Sequence, residues 1–201
     1  MDYTSLDEVH YAMQGDDTIT GQDTMLSSYI TRASRLIDTL CAGVPSVQSV
    51  NYFMQEDVAN EYLTNGVIGN GSLTVYPHKS VVNSVASLSF KYHLKDAWTI
   101  ADLASVSPEG DSVYYEGRLP YQERVYVQIS YNGGLATTQP DLPEDFIDLA
   151  TMIAVRLYKE ARGNYTDAIG IAELGTMIYT KSFPARFLET LPMYQRTTPW
   201  M

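Results

Sequence analysis

The sequence predicts an α+β protein: a small helical bundle with an inserted antiparallel β-rich lobe and an extended C-terminal arm. Helical apolar periodicity near both ends, two-residue alternation through the middle and three prolines close to the C-terminus predict this class. The length of 201 residues fits one domain with an inserted lobe. We expect a single domain over 1–201, with helical parts at about 5–43 and 143–195, a β-rich insertion at about 46–135 and an arm at about 181–201.

Two helices are predicted before the β-rich insertion. Ser5-Leu6-Asp7-Glu8 has the spacing of a capping box and predicts a short helix that runs through about Met13. A second helix is predicted over Gln22–Ala42, with Gly43 as its stop signal and Pro45 beyond it. The apolar positions of this second helix alternate four and three apart: Leu26, Ile30, Ala33, Ile37, Leu40 and Val44.

The middle of the chain has the alternation and the turn residues of antiparallel strands. The predicted strands are Val47–Phe53, Glu61–Leu63, Leu73–Tyr76, Val81–Tyr92, Ser112–Tyr115 and Arg124–Tyr131. Asn65-Gly66 and Gly69-Asn70-Gly71 have hairpin turn chemistry, and Pro108-Glu109-Gly110-Asp111 is typical of an exposed turn. Alternation in the last strand places its apolar residues on one sheet face: Val125, Val127, Ile129 and Tyr131.

A third helix follows the strands. Pro143 suits the first helical turn, and Glu144 and Asp145 favour the positive end of the helix. Its apolar positions repeat the spacing of the second helix: Phe146, Ala150, Ile153 and Leu157. We therefore expect the helices at 22–42 and 143–162 to pack together, and the residues expected to be buried are Ile30, Ile37, Phe146, Ile153 and Leu157.

The end of the chain changes character again. A short strand is predicted at Thr176–Thr180 and a last helix from Pro184 to about Leu191. The tail from Arg196 to Met201 is predicted to be extended. Basic and aromatic side chains collect in this arm of an acidic chain, which is typical of a segment that docks on another protein.

Charge excludes several classes of protein. Asp and Glu total 24 against 13 Lys and Arg, which gives a formal net charge of -11. Such a surface repels phosphate backbones and anionic membranes, which argues against DNA-binding and membrane-binding proteins. The charge is compatible with a protein that surrounds DNA without binding it. The 16 tyrosines have two open explanations, which are β-propensity and wide, partly hydrated contacts with partners.

The sequence offers no catalytic or metal-binding constellation. Cys41 is the single cysteine and lies near the apolar stripe, so we expect a core residue in a compartment that keeps thiols reduced. The histidines His10, His78 and His93 lack metal-ligand spacing, and no nucleophile elbow or phosphate loop occurs. We expect no enzymatic activity, no metal and no cofactor. The acidic start and the lack of a long apolar run predict a soluble protein that is cytosolic at synthesis.

Read in order, these segments resemble the head–tail connector (adaptor) family of tailed bacteriophages. The resemblance covers about residues 23–196 and depends on the order of the motifs more than on any one of them. The motifs are the helix Tyr29–Asp38, the β segment Pro77-His78-Lys79-Ser80-Val81 with Ser84-Val85, the strand Val127–Tyr131 with Gly133-Gly134, the helix start Leu142–Phe146 with Ala150 and Leu157-Tyr158, and the end at Leu191 with Tyr194-Gln195-Arg196.

The resemblance implies a structural virion protein of the neck, assembled in the host cytoplasm. Family membership implies a ring of about twelve copies beneath the portal vertex, with a tail-side neck or tail protein as the second partner and DNA passing through without specific binding. The residues expected to dock on the portal protein are Lys181, Phe183, Arg186, Tyr194, Arg196 and Trp200. The alternatives are another neck or tail component, such as a stopper or tail-completion protein, and more remotely a β-rich binding module.

Overall fold

The predicted α+β class is confirmed in a computed structural model of the chain. The structure describes residues 2–13, 21–42, 51–79, 81–162, 168–171, 175–178 and 192–194. The chain divides into a helical unit, formed by Met1–Cys41 with Leu142–Gln195, and a β unit whose continuous part is Ala42–Asp141. The helices come from both ends of the chain and the β unit from its middle, as the sequence predicts. The assignment of 1–201 to one domain stays a prediction.

Three helices form where the capping and charge signals predict them. They are α1 (Leu6–Ala12), α2 (Asp23–Ala42) and α3 (Glu144–Arg162). The Ser5 hydroxyl caps α1 by accepting the backbone N–H of Glu8 at 3.2 Å. In α3 the acidic residues Glu144 and Asp145 occupy the first turn, while Lys159 and Arg162 occupy the last turn, and both placements oppose the helix dipole favourably.

The buried stripes of α2 and α3 agree with the prediction except in their last turns. Ile30, Ile37, Phe146 and Ile153 are buried. The other stripe residues before the last turns are buried too: Leu26, Ala33 and Ala150. In the last turns, Leu40 is 36% exposed and Leu157 is half-buried. Cys41 and Tyr158 take the buried positions instead. Steps of three and four residues average 3.5 residues, slightly less than the 3.6 residues of one helical turn. Toward the end of a straight helix the stripe therefore rotates away from the core, and the residue after the expected one faces the core instead.

Tyr3 connects the two long helices of the helical unit. Its hydroxyl donates to the buried carboxylate of Asp38 on α2, and its ring meets that of Phe146 on α3 edge to face at 5.2 Å. The hydroxyls of Thr4 and Thr151 are 2.6 Å apart. The N-terminal segment therefore belongs to the core of the helical unit.

The long helices also contact each other directly, as predicted. The rings of Tyr29 on α2 and Tyr158 on α3 meet edge to face with centroids 6.2 Å apart. The Tyr158 hydroxyl donates to the side-chain oxygen of Gln22, just before α2. Buried aromatic pairs of this geometry add to the energy of apolar burial.

The described part of the β unit forms one seven-stranded antiparallel sheet. Its strands are β1 (Glu56–Gly69), β2 (Ser72–Val75), β3 (Val82–Lys91), β4 (Thr99–Ile100), β5 (Val106–Glu109), β6 (Ser112–Glu116) and β7 (Gln122–Gly133). The order across the sheet is β4-β3-β7-β1-β2-β6-β5. Short 3-10 helices lie at Leu103–Ser105 and Gln139–Asp141. In the helical unit, β8 (Ala168–Ile171) and β9 (Gly175–Ile178) form an antiparallel pair.

The sheet curls so that its inner face encloses a core. Val125, Val127, Ile129 and Tyr131 of β7 all face this core, which confirms the predicted alternation. Across the curl, the Phe90 ring of β3 and the Tyr115 ring of β6 lie 5.9 Å apart. The backbone N–H of Val82 also donates to the carbonyl of Gly110 at 2.8 Å, which joins β3 to the β5–β6 turn.

The predicted turn at Asn65-Gly66 is wrong, because β1 continues through both residues. Gly66 lies opposite Val125 of β7, between two register shifts. A Cβ atom on Gly66 would lie 2.8 Å from the Val127 side chain, so the glycine permits close packing of the strands here. The predicted turn at Gly69-Asn70-Gly71 is confirmed, and Asn70 and Gly71 have φ values of 53° and 85°.

The remaining strand predictions differ mainly in their limits. The strand predicted at Val47–Phe53 is wrong over 51–53, which form a turn with Asn51 at φ 55°, and 47–50 lie outside the described residues. Glu61–Leu63 is part of the longer β1, and β7 extends Arg124–Tyr131 at both ends. The last strand is confirmed over 176–178, whereas 179–180 and the helix predicted from Pro184 to Leu191 lie outside the described residues.

Candidate interaction surfaces

Several ionisable groups in the described ranges form local pairs. No three His, Cys, Asp or Glu side chains there come together as metal ligands. His10 lies 3.2 Å from Asp23, and His78 pairs with Glu61. The backbone N–H of His93 donates to Asp96 in the turn after β3. These contacts give the histidines structural partners, and the absence of enzymatic activity stays a prediction.

In the part of the chain that the structure describes, no helix combines the length and the apolar character needed to cross a bilayer.

Cys41 is a core residue, as the sequence predicts. Its side chain is 2% exposed on the last turn of α2. Burial, with a smaller contribution from the nearby Asp38 carboxylate, raises the pKa of the Cys41 thiol to about 12. The thiol therefore stays protonated at neutral pH and has little nucleophilic character.

Of the six residues predicted to dock on a partner, the structure describes Tyr194. Its ring packs edge to face on Phe146 at 4.9 Å, and its hydroxyl donates to Oδ1 of Asp145 at 2.9 Å. Burial and this hydrogen bond raise the pKa of Tyr194 to about 12. Tyr194 thus attaches the segment 192–194 to the first turn of α3. The other predicted docking residues lie outside the described residues: Lys181, Phe183, Arg186, Arg196 and Trp200.

A second candidate surface lies on the outer face of the sheet. We call it the outer aromatic patch and define it by Tyr62, Lys91, Trp98, Arg124 and Tyr126. Tyr126 lies opposite Lys91 across β7 and β3, and its ring stacks near that of Tyr62 on β1 at 6.3 Å and 21°. Trp98 meets Tyr62 edge to face at 6.1 Å, and Lys91 Nζ lies 4.6 Å from the Trp98 ring centroid. Arg124 is exposed and precedes Tyr126 by two residues, so it lies on the same face.

Exposed apolar side chains lie near the outer aromatic patch. Leu94 is 64% exposed, Ile100 81% and Leu103 45%, all next to the edge strand β4. The outward positions of β3 and β7 carry no carboxylate: Ser87, Ser89, Lys91, Arg124, Tyr126, Gln128 and Ser130. This surface has no contiguous motif in the sequence, because strand pairing brings together residues from three distant segments. The available signal was the combination of tyrosines and cations at alternating positions.

Buried Lys79 holds one end of the sheet together. Its Nζ donates to the carbonyls of Asn51 at 2.9 Å and Met54 at 2.7 Å and pairs with Glu56 at 3.2 Å. Its backbone N–H donates to the Tyr131 hydroxyl at 3.1 Å. These partners compensate the burial of the ammonium group, so this lysine ties the segment before β1 to the core.

A cavity of about 270 Å³ lies beside Lys79. It is lined by Tyr52, Glu56, Val58, Glu61, His78, Lys79 and Tyr131. His78 pairs with Glu61, and Lys79 with Glu56. Because these opposite charges face one another, the arrangement is that of a structural ion-pair cluster.

No family model matches the sequence, and no curated protein matches it. Solved structures do match the fold. One is a chain in the neck of an empty particle of a gene transfer agent (GTA), computed with C6 symmetry. It has 14% identity to this chain and a TM-score of 0.53, over 96% of this chain and 90% of that one. A chain in the neck of the native GTA particle, computed with C12 symmetry, has 15% identity and a TM-score of 0.52 over 100% and 96%.

A third structure extends the comparison. A chain in the virion of the native gene transfer agent (GTA) particle has 13% identity and a TM-score of 0.57, over 96% of this chain and 89% of that one. TM-scores of 0.52 to 0.57 over most of both chains show a shared fold. The protein therefore has a fold found in GTA neck and virion structures, in agreement with the connector resemblance of its sequence.

Proposed function

We propose that this chain is a structural protein of a virion neck, where identical copies form a ring that joins head to tail as an adaptor. The observation that carries the proposal is the shared fold over 96–100% of this chain with chains from neck structures. The motif order of the sequence supports the same assignment independently. A ring of about twelve copies agrees with the C12 symmetry of one of these necks.

The charge of the chain suits a DNA channel. A formal charge of -11 gives a ring of such chains an acidic surface, which phosphate groups pass without being held. Among the described residues of the β unit, Lys95, Arg118 and Arg124 are exposed and come from three separate segments, and none of these segments is a run of basic residues. The proposed role is passage of DNA without specific binding.

We further propose that the C-terminal arm docks on the portal protein. Tyr194 supports this role through position, because its contacts with Asp145 and Phe146 attach the start of the terminal segment to α3. The segment beyond it contains Arg196 and Trp200, a cation and an aromatic anchor. In this proposal the attached tyrosine positions these residues for contact with the partner.

The direct test mixes the purified protein with portal rings and examines the complexes by negative-stain electron microscopy. We expect a second ring of cyclic symmetry on one face of the portal ring. A protein that stays monomeric and leaves the portal undecorated would overturn the adaptor function.

A matched pair of variants tests the arm. Removing residues 195–201 leaves the Tyr194 contacts in place, and we expect a folded protein that no longer co-sediments with portal rings. The control is Tyr11→Ser, which changes a residue of α1 that is 71% exposed. Undiminished portal occupancy by the shortened chain would assign docking to another surface.

A further inference from the structure

We propose that the outer aromatic patch is the surface through which each copy binds an acidic surface of the neighbouring copy of this chain. This inference rests on the proposed ring function and names the contact within the ring. It places Tyr62, Trp98 and Tyr126 at the centre of an interface between identical chains.

The composition of the patch is that of an interface centre. Tyr62 is 47% exposed and Trp98 is 36% exposed, although each carries a large apolar ring. Tyrosine, tryptophan and arginine are the residue types that contribute most to binding energy in protein interfaces. The rings contact one another at 6.1–6.3 Å, so they are already ordered before a partner arrives, which lowers the entropic cost of binding.

The charge of the patch identifies the chemistry of its partner. Lys91 and Arg124 lie on a face whose outward positions on β3 and β7 carry no carboxylate. The chain as a whole has 24 acidic and 13 basic residues, so the cationic rows of β3 and β7 are complementary to most of the remaining surface. A second copy therefore presents the acidic partner surface that the patch requires.

Ring geometry also requires two different surfaces on each copy. Identical chains close into a cyclic ring through heterologous contacts, in which one surface meets another and not itself. A cationic aromatic patch on an acidic protein meets this requirement, because two such patches repel each other whereas a patch and an acidic surface attract. A nucleic acid strand or another neck protein on the patch is the competing occupant.

The first experiment measures ring assembly of the full chain by native mass spectrometry over a range of concentrations. For the double variant Tyr62→Ser with Tyr126→Ser, we expect the concentration of half-assembly to rise at least about tenfold. Arg124→Glu should act in the same direction. The matched controls are Tyr11→Ser and Arg118→Glu, which change exposed residues outside the patch and should assemble like the wild type.

The second experiment identifies the occupant directly. Tyr62 is replaced by the photo-crosslinker p-benzoylphenylalanine, and the assembled protein is irradiated alone and again in the presence of portal rings and a single-stranded oligonucleotide. An adduct with twice the mass of the chain in both samples is expected. An adduct with the portal or the oligonucleotide, or no adduct, would overturn the inference.

The outcomes separate this inference from the proposed function. Rings formed equally well by wild type and by the patch variants would refute the patch and leave the ring function intact. A wild-type protein that forms no ring, alone or on the portal, would refute the ring function itself and this inference with it. Retained circular dichroism spectra of the variants show that a loss of assembly comes from the surface.

Discussion

The buried carboxylate of Asp38 in the helical unit has hydrogen-bond donors on two segments of the chain. The Asp38 carboxylate is fully buried and accepts from the Tyr3 hydroxyl and, at 2.8 Å, from Arg35 Nη1. Two donors compensate the desolvation of the carboxylate, which would otherwise cost several kcal/mol. The same carboxylate helps to raise the pKa of Cys41. This network aligns the N-terminal segment with α2 and makes its packing specific.

Ile153 provides a test of the core between the long helices. It is 2% exposed on α3. Ile153→Asp places an uncompensated charge in that core, and we expect a loss of about 3–5 kcal/mol of stability, which is a large part of the total for a typical domain. Far-UV circular dichroism and urea unfolding measure the effect. Met25→Asp, at a position of α2 that is 46% exposed, is the control and should unfold like the wild type. An Ile153→Asp protein with the same urea midpoint as the wild type would contradict the packing.

Tyr194 predicts a specific pH dependence. Its pKa rises from 10.0 to about 12 in the folded protein, so its contribution to stability is complete below pH 10 and is lost as the pH rises toward 12. Tyr194→Phe removes the hydroxyl that donates to Asp145 and should cost about 1 kcal/mol at pH 7–9. The difference in unfolding free energy between wild type and variant should shrink between pH 10 and 12. A difference that stays constant over this range would contradict the assigned hydrogen bond.

At the scale of elements, β1 is the most irregular strand of the sheet. It spans Glu56–Gly69 and pairs with β7 through several register shifts. Asn60 within it has a φ of 52°, a left-handed conformation that asparagine tolerates better than most residues. Such shifts bend a strand and increase its twist, which helps the sheet to curl around its core.

Gly66 and Gly69 form a matched pair for testing this strand. A Cβ atom on Gly66 would lie 2.8 Å from Val127 and 3.1 Å from the Val125 carbonyl, whereas one on Gly69 would meet nothing within 4 Å. We expect Gly66→Ala to destabilise the protein by about 1–3 kcal/mol through overpacking. Gly69→Ala should lie within about 0.5 kcal/mol of the wild type. Equal stabilities in thermal or urea unfolding would show that β7 can yield to the extra methyl group.

Local signals predicted the elements better than their junctions. The Ser5 cap, the Pro143 start and the alternation of β7 are each contained in a few neighbouring residues, and each is confirmed. The sequence Asn65-Gly66 has equal turn chemistry in isolation. These two residues instead continue strand β1, because the close pairing of β1 with β7 requires a residue without a side chain at Gly66. That requirement comes from a strand about 60 positions away and has no local signature.

The whole molecule is defined by its acidity. With a formal charge of -11, we expect the purified protein not to retain a duplex DNA fragment at about 0.15 M salt, with any dissociation constant weaker than about 100 µM. Fluorescence anisotropy of a labelled duplex measures this. Repeating the titration at lower salt is the control, because phosphate contacts by a basic groove would tighten binding steeply. Tight, salt-dependent binding would contradict the proposed passage of DNA without specific contacts.

The candidate surfaces were predictable to different degrees at this scale. The order of motifs was sufficient to indicate the connector fold, since it depends on the sequence of elements along the chain. The outer aromatic patch was not predictable, because Tyr62, Trp98 and Tyr126 become neighbours only when β1, β4 and β7 occupy their places in one sheet. Five of the six docking residues named from the sequence lie outside the described residues, so docking stays a proposal.

The division of the chain also sets an order for its synthesis. All seven strands of the described sheet lie within the continuous segment Ala42–Asp141. Every strand has therefore left the ribosome once residue 141 emerges. The helical unit instead joins residues far apart in the chain, such as Thr4 and Thr151, which are 147 positions apart. Closing so long a loop is slow and requires α3, which is made after the entire sheet. A nascent chain therefore completes its helical unit after its β unit.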